Sequence, residues 1–394
     1  MNSTRRHDID ALRVLAFALL ILYHVGMFYV ADWGWHIKSA YLSEWLQYPM
    51  LLVNRWRMPL LFLISGLAVN FLLAKTTTGE FVHSRVKRLL LPLLFGMAVV
   101  VPPQAYLQAV SNGSFAGNYV EFLVAYFTFQ PWPEGAFDGS HVGVTWNHLW
   151  YLPYLLAYSL VLAAALPLLR SRAGLWLAQR FRSLRGVWLV LLPSVPLTLS
   201  AWFMDYPSTH DLLTDWENHA RYFTVFLFGY WLGTDKAMWE RLRGMRWALL
   251  LTGIASFSAH LLLIRILSSA PGWHRAAYDF FAFLNAWVWL CLVLAWGHHL
   301  LNRPFRWLPY ATEAVYPWYI LHQTITVIAG FWLAQWRLGP VLEPLLVITA
   351  TIAGCLLLHE FVVRRVSWLR PLFGLKPAAK QAQVPAEAVS RTTS

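Results

Sequence analysis

The first long apolar stretch of the chain, residues 9–31, decides the fold class, and it reads IDALRVLAFALLILYHVGMFYVA. As an α-helix with a rise of about 1.5 Å per residue, it is long enough to cross the roughly 30 Å hydrocarbon core of a bilayer. It contains Arg13 and His24 and lacks a small-residue cleavage pattern, so we expect a membrane span and not a cleavable signal. This stretch therefore predicts a membrane protein.

The composition of the whole chain agrees with a fold that spans a membrane. Of its 394 residues, 58% are hydrophobic and 13% are charged, which is about half the charged share of an ordinary soluble domain. The 23 Trp, 17 Tyr and 24 Phe fit two aromatic belts at the membrane–water interfaces. These proportions exclude an ordinary soluble domain.

Ten apolar stretches are predicted to be transmembrane helices, which gives an all-α, polytopic fold. The sixth of them, RYFTVFLFGYWLG, is shorter than the others. We find no internal repeat and no second soluble domain, so residues 1–376 are predicted to form one transmembrane domain and residues 377–394 a disordered cytoplasmic tail. The predicted spans are residues 9–31, 51–74, 88–110, 148–169, 187–204, 220–234, 247–267, 278–300, 312–333 and 341–363.

The distribution of positive charge favours ten spans with both termini in the cytoplasm. Under that arrangement, 23 of the 31 Lys and Arg residues fall in cytoplasmic segments and seven in outer segments, as the positive-inside rule requires. Removing one span would reverse the alternation everywhere downstream of it. We therefore predict a multi-pass protein of a bacterial inner membrane, surrounded by membrane lipids.

The net charge of +12 raises the question of a polyanionic partner. Because the basic residues are spread over the loops between apolar stretches, we expect no nucleic-acid partner. Cys291 and Cys355 lie inside apolar runs without the spacing of metal ligands. Neither a disulfide, nor a zinc site, nor any other metal site is therefore predicted.

The first predicted span contains the sharpest functional candidates, because ionisable residues are costly inside a membrane. Arg13 and His24 are 11 residues apart, which places them on one helix face and about 16 Å from each other. Asp10 precedes Arg13 by three residues, a spacing that favours an ion pair. The structural alternative is that Arg13 snorkels to the interface and that His24 only binds a neighbouring helix.

A second candidate lies at the start of the third predicted span, in the stretch RVKRLLLPLL at residues 85–94. Arg85 and Arg88 are one helical turn apart near a helix N-terminus, an arrangement that can bind a phosphate group. The alternative is that these arginines only orient the span in the membrane.

Further polar residues are weaker candidates, and each also has a structural interpretation. Gly66 in the second span favours close helix packing, and the aromatic residues at the outer end of the fourth span are expected in an interfacial belt. Polar residues in the last two spans can form hydrogen bonds between helices. These candidates are Arg57, Ser65, His148, Trp150, Tyr151, His322, His359 and Glu360.

Taken together, these motifs resemble the acyltransferase 3 family of ten-helix membrane acyltransferases. The resemblance extends through residue 377, and it is closest to the branch that succinylates periplasmic glucans. The chain departs from that branch at Gln323, where the branch tends to have a second His after His322. The motifs are DALR at 10–13 followed by His24, FLISG at 62–66, RVKR through Pro92 and HLWYL at 148–152.

The resemblance implies an enzyme that moves an acyl group from cytoplasmic acyl-CoA to a hydroxyl of an extracytoplasmic glycan. It implies no bound cofactor, with acetyl-CoA or succinyl-CoA acting as a co-substrate. Arg13, Arg85 and Arg88 are then expected to hold the CoA phosphates. His24 is expected to deprotonate the acceptor hydroxyl, because imidazole titrates near neutral pH.

Several alternatives stay open at this point. Transfer is either direct or through a covalent intermediate on Ser65, and the carboxylate of a succinyl group would pair with Arg57 or Lys38. His148, Trp132, Trp146 and Trp150 either stack on a sugar ring or belong to the aromatic belt. The competing class is a transporter or flippase, in which polar residues within ten helices are equally natural, although we find no inverted repeat.

Overall fold

The computed structural model describes residues 5–204, 208–233, 235–267 and 272–377. Over these ranges the chain forms fourteen α-helices and no β-sheet, which confirms the all-α prediction. The predicted tail, residues 377–394, lies outside the described residues apart from Pro377. The helices are α1 (His7–Gly26), α2 (Gln47–Leu73), α3 (Thr78–Phe95), α4 (Pro102–Ser111), α5 (Tyr119–Tyr126), α6 (Tyr151–Leu169), α7 (Arg172–Arg182), α8 (Trp188–Phe203), α9 (Trp216–Leu232), α10 (Lys236–Gly244), α11 (Arg246–Leu267), α12 (Gly272–Leu301), α13 (Leu308–Gln335) and α14 (Leu342–Leu358).

Five shorter helical segments complete the secondary structure of the described ranges. Two are π-helical, Gly96–Val100 at the end of α3 and His359–Val363 at the end of α14. The other three are 3-10 helices, Ser140–Val142, Asn147–Trp150 and Arg370–Phe373.

Six helical segments in the described part of the chain are long and apolar enough to cross a membrane on their own. Helix α3 with its π-helical end, followed by α4 at a bend of about 40°, forms a seventh if the pair is one span. The chain is thus a multi-pass membrane protein. The six segments are His7–Gly26, Gln47–Leu73, Asn147–Leu169, Arg246–Arg265, Arg275–Leu301 and Leu342–Val363.

All ten predicted stretches fall on helices of the described residues, but besides the bent pair α3–α4, three of them do not qualify as spans. Helices α8 and α9 have 16 and 17 residues, which is about 24–26 Å and less than the hydrocarbon thickness. Helix α13 has 28 residues, but buried polar side chains such as His322 and Gln323 lower its mean hydropathy. The count of ten spans therefore stays a prediction.

Helix α2 packs along α9 and also contacts α1 and α12. Two glycines allow the close approach of α2 to α9. A Cβ atom added at Gly66 would lie 1.9 Å from the carbonyl oxygen of Phe226, and one added at Gly229 would lie 2.1 Å from that of Leu63. Gly66 is therefore required by the packing of the two helices, as one interpretation of FLISG proposes.

The start of α1 is held by a buried carboxylate. Asp8 is fully buried and accepts hydrogen bonds from Arg6 and from the Nδ1 atom of His298 on α12, at 2.7 Å each. The Arg6 guanidinium in turn stacks on the Trp239 ring of α10 at 3.9 Å. These contacts set the position of α1, and with it the positions of Arg13 and His24.

Candidate active site

Tyr319 of α13 lines two cavities of the described structure, and α1 contributes to the wall of both. The first, which we call the arginine cavity, has a volume of about 330 Å³ and includes Arg13 in its wall. The second, which we call the histidine cavity, has a volume of about 890 Å³ and includes His24. Because Arg13 and His24 are on the same helix, α1 carries one candidate residue into each cavity.

The arginine cavity is lined by three guanidinium groups and by no carboxylate of a described residue. Helix α3 contributes Arg85 and Arg88, and α1 contributes Arg13. The Nε atom of Arg85 is buried and has no hydrogen-bond partner in the described ranges. Three cations around a small cavity without a counter-charge favour the binding of a phosphate group.

Asp10 does not line the arginine cavity. Its carboxylate forms a 2.9 Å ion pair with Arg5 and lies 3.9 Å from Arg13. The predicted contact between Asp10 and Arg13 is therefore present only as a long ion pair. Because the short bond of Asp10 goes to Arg5, the charge of Arg13 is left largely available to a bound anion.

A chain of hydrogen bonds determines the tautomer of His24. The Nδ1 atom of His322 lies 2.8 Å from the carbonyl oxygen of Tyr319, which can only accept, so this nitrogen carries the proton. The Nε2 atom of His322 is then the acceptor for the Nδ1–H group of His24, 2.9 Å away. Neutral His24 therefore has an unprotonated Nε2, and this atom has no hydrogen-bond partner among the described residues.

His148 is buried in a second network, and its ring centroid lies 5.2 Å from that of His322. Its Nε2–H donates to the carbonyl oxygen of Ile320 at 3.1 Å, and its Nδ1 accepts from Gln104 at 3.3 Å. Its own carbonyl oxygen accepts from the Tyr319 hydroxyl at 2.7 Å. Both ring nitrogens of His148 are thus engaged by the protein, so His148, unlike His24, has no free ring nitrogen.

Gln323, the residue at which the chain departs from the glucan-modifying branch, connects α13 to three other parts of the structure. Its Nε2 atom lies 3.0 Å from His36 Nε2, 3.0 Å from Gln104 Oε1 and 2.6 Å from Asn147 Oδ1. A carboxamide has two N–H groups and satisfies two of these acceptors at a time. Gln323 therefore holds the wall of the histidine cavity together.

Ser65 lies in the arginine cavity and not beside His24. The Tyr151 hydroxyl donates to the carbonyl oxygen of Leu61 at 3.1 Å, so the Ser65 hydroxyl donates to Tyr151, at 2.6 Å. In the described structure no imidazole or carboxylate accepts the Ser65 proton. This geometry does not activate Ser65 as a nucleophile.

Aromatic side chains line the histidine cavity near the segment that follows α8. The Trp150 ring lies 4.5 Å from the ring of His210, and the Trp146 indole donates to the His210 carbonyl oxygen at 3.1 Å. Burial lowers the pKa of the His210 imidazole, so this ring is neutral near pH 7. Trp146 and Trp150 therefore offer an uncharged aromatic surface of the kind that stacks on a sugar ring.

Trp132, which we also considered as a sugar-stacking residue, lies elsewhere. Its ring packs against Phe122 at 5.1 Å and Phe137 at 5.5 Å, in a separate cluster of aromatic residues that surrounds α5. His359 and Glu360 are likewise outside both cavities. Glu360 accepts a 2.6 Å hydrogen bond from Tyr310, so its role here is to join α13 to the end of α14.

The structure thus divides the predicted site residues into two groups. Those in the arginine cavity are Arg13, Ser65, Arg85, Arg88 and Tyr151, and those in the histidine cavity are His24, Arg57, His148 and Trp150, with His322 directly behind His24. The sequence analysis did not identify Tyr319, Gln104 or Asn147. Gln104 has a sequence signal, since it is a polar residue in an apolar stretch just after Pro102-Pro103. Tyr319 has no such signal, because in the sequence it looks like any aromatic residue of an interfacial belt.

The acyltransferase domain family matches residues 6–360, a range that includes every residue of both cavities. The chain belongs to this family. The resemblance inferred from the motifs is therefore confirmed, and the protein is an acyl-transferring membrane enzyme. No solved structure matches it.

Relatives of this acyltransferase include two proteins named glucans biosynthesis protein C. The protein from Escherichia coli (strain SMS-3-5 / SECEC) is 23% identical over 402 residues, and the one from Salmonella paratyphi B is 22% identical over 398 residues. In both comparisons 96% of each chain is covered. The likeness is distant, but it extends over nearly the full length.

Proposed function

We propose that this enzyme is an O-acyltransferase of a bacterial inner membrane, with ten spans and cytoplasmic termini. It transfers an acetyl or succinyl group, and not an aminoacyl group, from cytoplasmic acyl-CoA to a hydroxyl of an extracytoplasmic glycan. The names of the relatives make a periplasmic glucan the first acceptor to test. In this proposal residues 1–376 form the transmembrane domain and residues 377–394 its cytoplasmic tail.

One observation carries the proposal: a cationic cavity and a cavity with an unprotonated imidazole nitrogen meet at Tyr319. With the N-terminus in the cytoplasm, the arginine cavity, on the N-terminal half of α1, is on the side where acyl-CoA is found. The histidine cavity is on the opposite side, nearer the glycan. A thioester bound from one side and a hydroxyl bound from the other would therefore approach each other beside Tyr319.

The donor side of the reaction depends on charge. Arg13, Arg85 and Arg88 bind phosphate groups of CoA, for which bidentate arginine contacts are well suited. The pantetheine arm extends along α1 toward His24, over the roughly 16 Å that separates the two residues on the helix. The acyl thioester then lies at the boundary between the two cavities.

The acceptor side depends on His24 as a general base. Its Nε2 takes the proton of the glycan hydroxyl while the hydroxyl oxygen attacks the thioester carbonyl carbon. The tetrahedral intermediate collapses by breaking the C–S bond, and the CoA thiolate leaves and recovers the proton from His24. The Nδ1–H of His24, held by His322, supports the charged imidazolium during this step.

Direct transfer is supported over a covalent route through Ser65. Ser65 donates its proton to the Tyr151 hydroxyl, which has no basic character at neutral pH. His24 is in the other cavity and has no contact with Ser65. The direct route needs only the base that the structure already orients.

The deciding experiment measures the release of CoA thiol by the purified protein in lipid nanodiscs. Acetyl-CoA and succinyl-CoA are supplied with and without glucan, and His24→Ala is compared with wild type. His299→Ala, an exposed histidine on α12, is the matched control. We expect the release of CoA thiol to depend on the acceptor. Its rate should fall at least about 100-fold in His24→Ala and stay at the wild-type level in His299→Ala. If no combination of donor and acceptor gives release, the transporter hypothesis is favoured over acyl transfer.

A further inference from the structure

Arg57 is a buried cation in the wall of the histidine cavity. Its side chain, on α2, is 7% exposed, and its Nε and Nη1 atoms have no hydrogen-bond partner among the described residues. No carboxylate in the described ranges forms an ion pair with it. A buried guanidinium without a counter-charge is unfavourable unless a ligand supplies one.

The surroundings of Arg57 fix its plane without satisfying its N–H groups. The Tyr23 ring stacks on the guanidinium, with the Cζ atom 3.5 Å from the ring centre. Stacking covers the face of the guanidinium and leaves the N–H edge, which is the part that binds a carboxylate in a bidentate way. The orientation of the group is therefore set before any ligand arrives.

Two other cations nearby differ from Arg57. Arg55, two residues earlier, donates to the Tyr278 hydroxyl at 2.7 Å and does not line the cavity. Lys38, the other residue considered for a succinyl carboxylate, donates to the backbone oxygens of Met27 and Val30 at 2.8 and 2.5 Å. Lys38 is also absent from the cavity wall, so its charge is used for the fold.

We infer that Arg57 forms an anion subsite of the histidine cavity and binds a carboxylate of one of the two substrates. This inference rests on the proposed function and adds a specificity-determining residue to it. The carboxylate is either at the free end of the acyl group or on the acceptor glycan, since both substrates meet in this cavity. The anion bound by Arg57 is not a phosphate of CoA. In the proposed function those phosphates bind in the arginine cavity, which lies on the other side of Tyr319.

The kinetic test compares wild type with Arg57→Gln, Arg57→Lys and the matched control Arg55→Gln. The donors are acetyl-CoA and succinyl-CoA, and the acceptors are a neutral glucan and the same glucan oxidised to carry carboxylates. We expect Arg57→Gln to lower kcat/KM about 10- to 100-fold for the substrate with the carboxylate and less than about threefold for its neutral counterpart. Arg57→Lys should retain part of the preference, and Arg55→Gln all of it.

The pattern of the losses identifies the source of the carboxylate. A loss confined to succinyl-CoA places it on the acyl group, and a loss confined to the oxidised glucan places it on the acceptor. If Arg57→Gln slows all four combinations equally, or none of them, the subsite is disproved.

A second measurement does not depend on turnover. Monomethyl succinate and glucuronate are used as carboxylate probes, dimethyl succinate is the neutral control, and the thermal unfolding midpoint is recorded in nanodiscs. We expect at least one carboxylate to raise the midpoint of wild type and of Arg55→Gln but not that of Arg57→Gln. Equal responses in all three proteins, or none in wild type, would overturn the subsite even if the enzyme releases no CoA thiol.

Discussion

His322 shows how one residue acts through another. It touches His24 on one side and the Tyr319 carbonyl oxygen on the other, and it thereby decides which nitrogen of His24 carries the proton. The two ring planes are 6° from parallel with centroids 5.0 Å apart, so the rings meet edge to edge through this hydrogen bond. We therefore predict that His322 acts as a positioning residue, whose loss affects catalysis before it affects substrate binding.

We predict that His322→Leu lowers kcat by about 10- to 100-fold, because His24 loses the acceptor that fixes its tautomer. The KM for acyl-CoA should change less than about twofold, since His322 does not line the arginine cavity. Steady-state kinetics in nanodiscs separate the two constants. A rise in KM with kcat unchanged would contradict the positioning role.

Arg85 gives the corresponding prediction for the donor side. Arg85→Ala should raise the KM for acyl-CoA about tenfold or more, since a charge-assisted hydrogen bond contributes about 1.5–3 kcal/mol. Lys87→Ala is the matched control, because Lys87 lies between the two arginines but is exposed and outside the cavity. An unchanged KM in Arg85→Ala would leave Arg85 with a role in orientation only.

Tyr319 separates the two cavities, and its size can be tested independently of its hydroxyl. We predict that Tyr319→Ala joins the cavities and increases the hydrolysis of acyl-CoA in the absence of glycan, because water then reaches the thioester. Tyr319→Phe retains the ring and should keep hydrolysis near the wild-type rate. Release of CoA thiol without acceptor is the measurement, and equal hydrolysis in both variants would show that the ring does not act as a barrier.

At the level of helices, the contact between α2 and α9 explains why FLISG contains a glycine. The two backbones approach so closely that a single methyl group at Gly66 or Gly229 would overlap a carbonyl oxygen of the other helix. Helix α2 also carries Arg57 and Ser65, so its position affects both cavities. The packing of these two helices therefore supports the site as a whole.

We predict that Gly66→Ala and Gly229→Ala each destabilise the folded protein by about 1–3 kcal/mol through overpacking. Gly79→Ala is the control, because a Cβ atom at Gly79 would have no neighbour within 4 Å. The midpoint of thermal unfolding in nanodiscs should fall for the first two variants and stay constant for the third. If Gly66→Ala and Gly229→Ala unfold at the same midpoint as the wild type, α2 and α9 can move apart without a loss of stability.

For the whole molecule, the prediction of ten spans requires the short helices α8 and α9 to cross the membrane. The apolar length of each is marginal, yet the charge distribution requires both of them for the loops to alternate. Single cysteines on either side of these helices can decide this. The background for that experiment is a protein in which the buried residues Cys291 and Cys355 are replaced by Ala.

We predict that Leu213→Cys, between α8 and α9, reacts with a membrane-impermeant maleimide in intact cells. Arg180→Cys, before α8, and Glu240→Cys, after α9, should react only after the cells are permeabilised. All three positions lie at exposed or partly exposed surface sites, so access to the reagent is comparable. Labelling of all three from the same side would remove α8 and α9 from the count of spans.

Features that depend on neighbouring residues can be read directly from the sequence. Apolar length predicts the helices, and the family follows from the order of motifs such as DALR and RVKR. The spacing of Arg13 and His24 along one helix likewise predicts that both act from α1, because helix geometry is local. The arginines and the histidine that the proposed phosphate binding and proton transfer require can all be read from the sequence.

Which of these residues meet depends on how distant helices pack against each other. His24 and His322 are 298 residues apart in the chain, and their 2.9 Å contact depends on how α1 packs against α13. The same packing places Ser65 and His24 in separate cavities and leaves the guanidinium of Arg57 buried beside His24. Hydropathy and spacing carry no information on contacts between helices, because those contacts arise from the packing of whole helix surfaces.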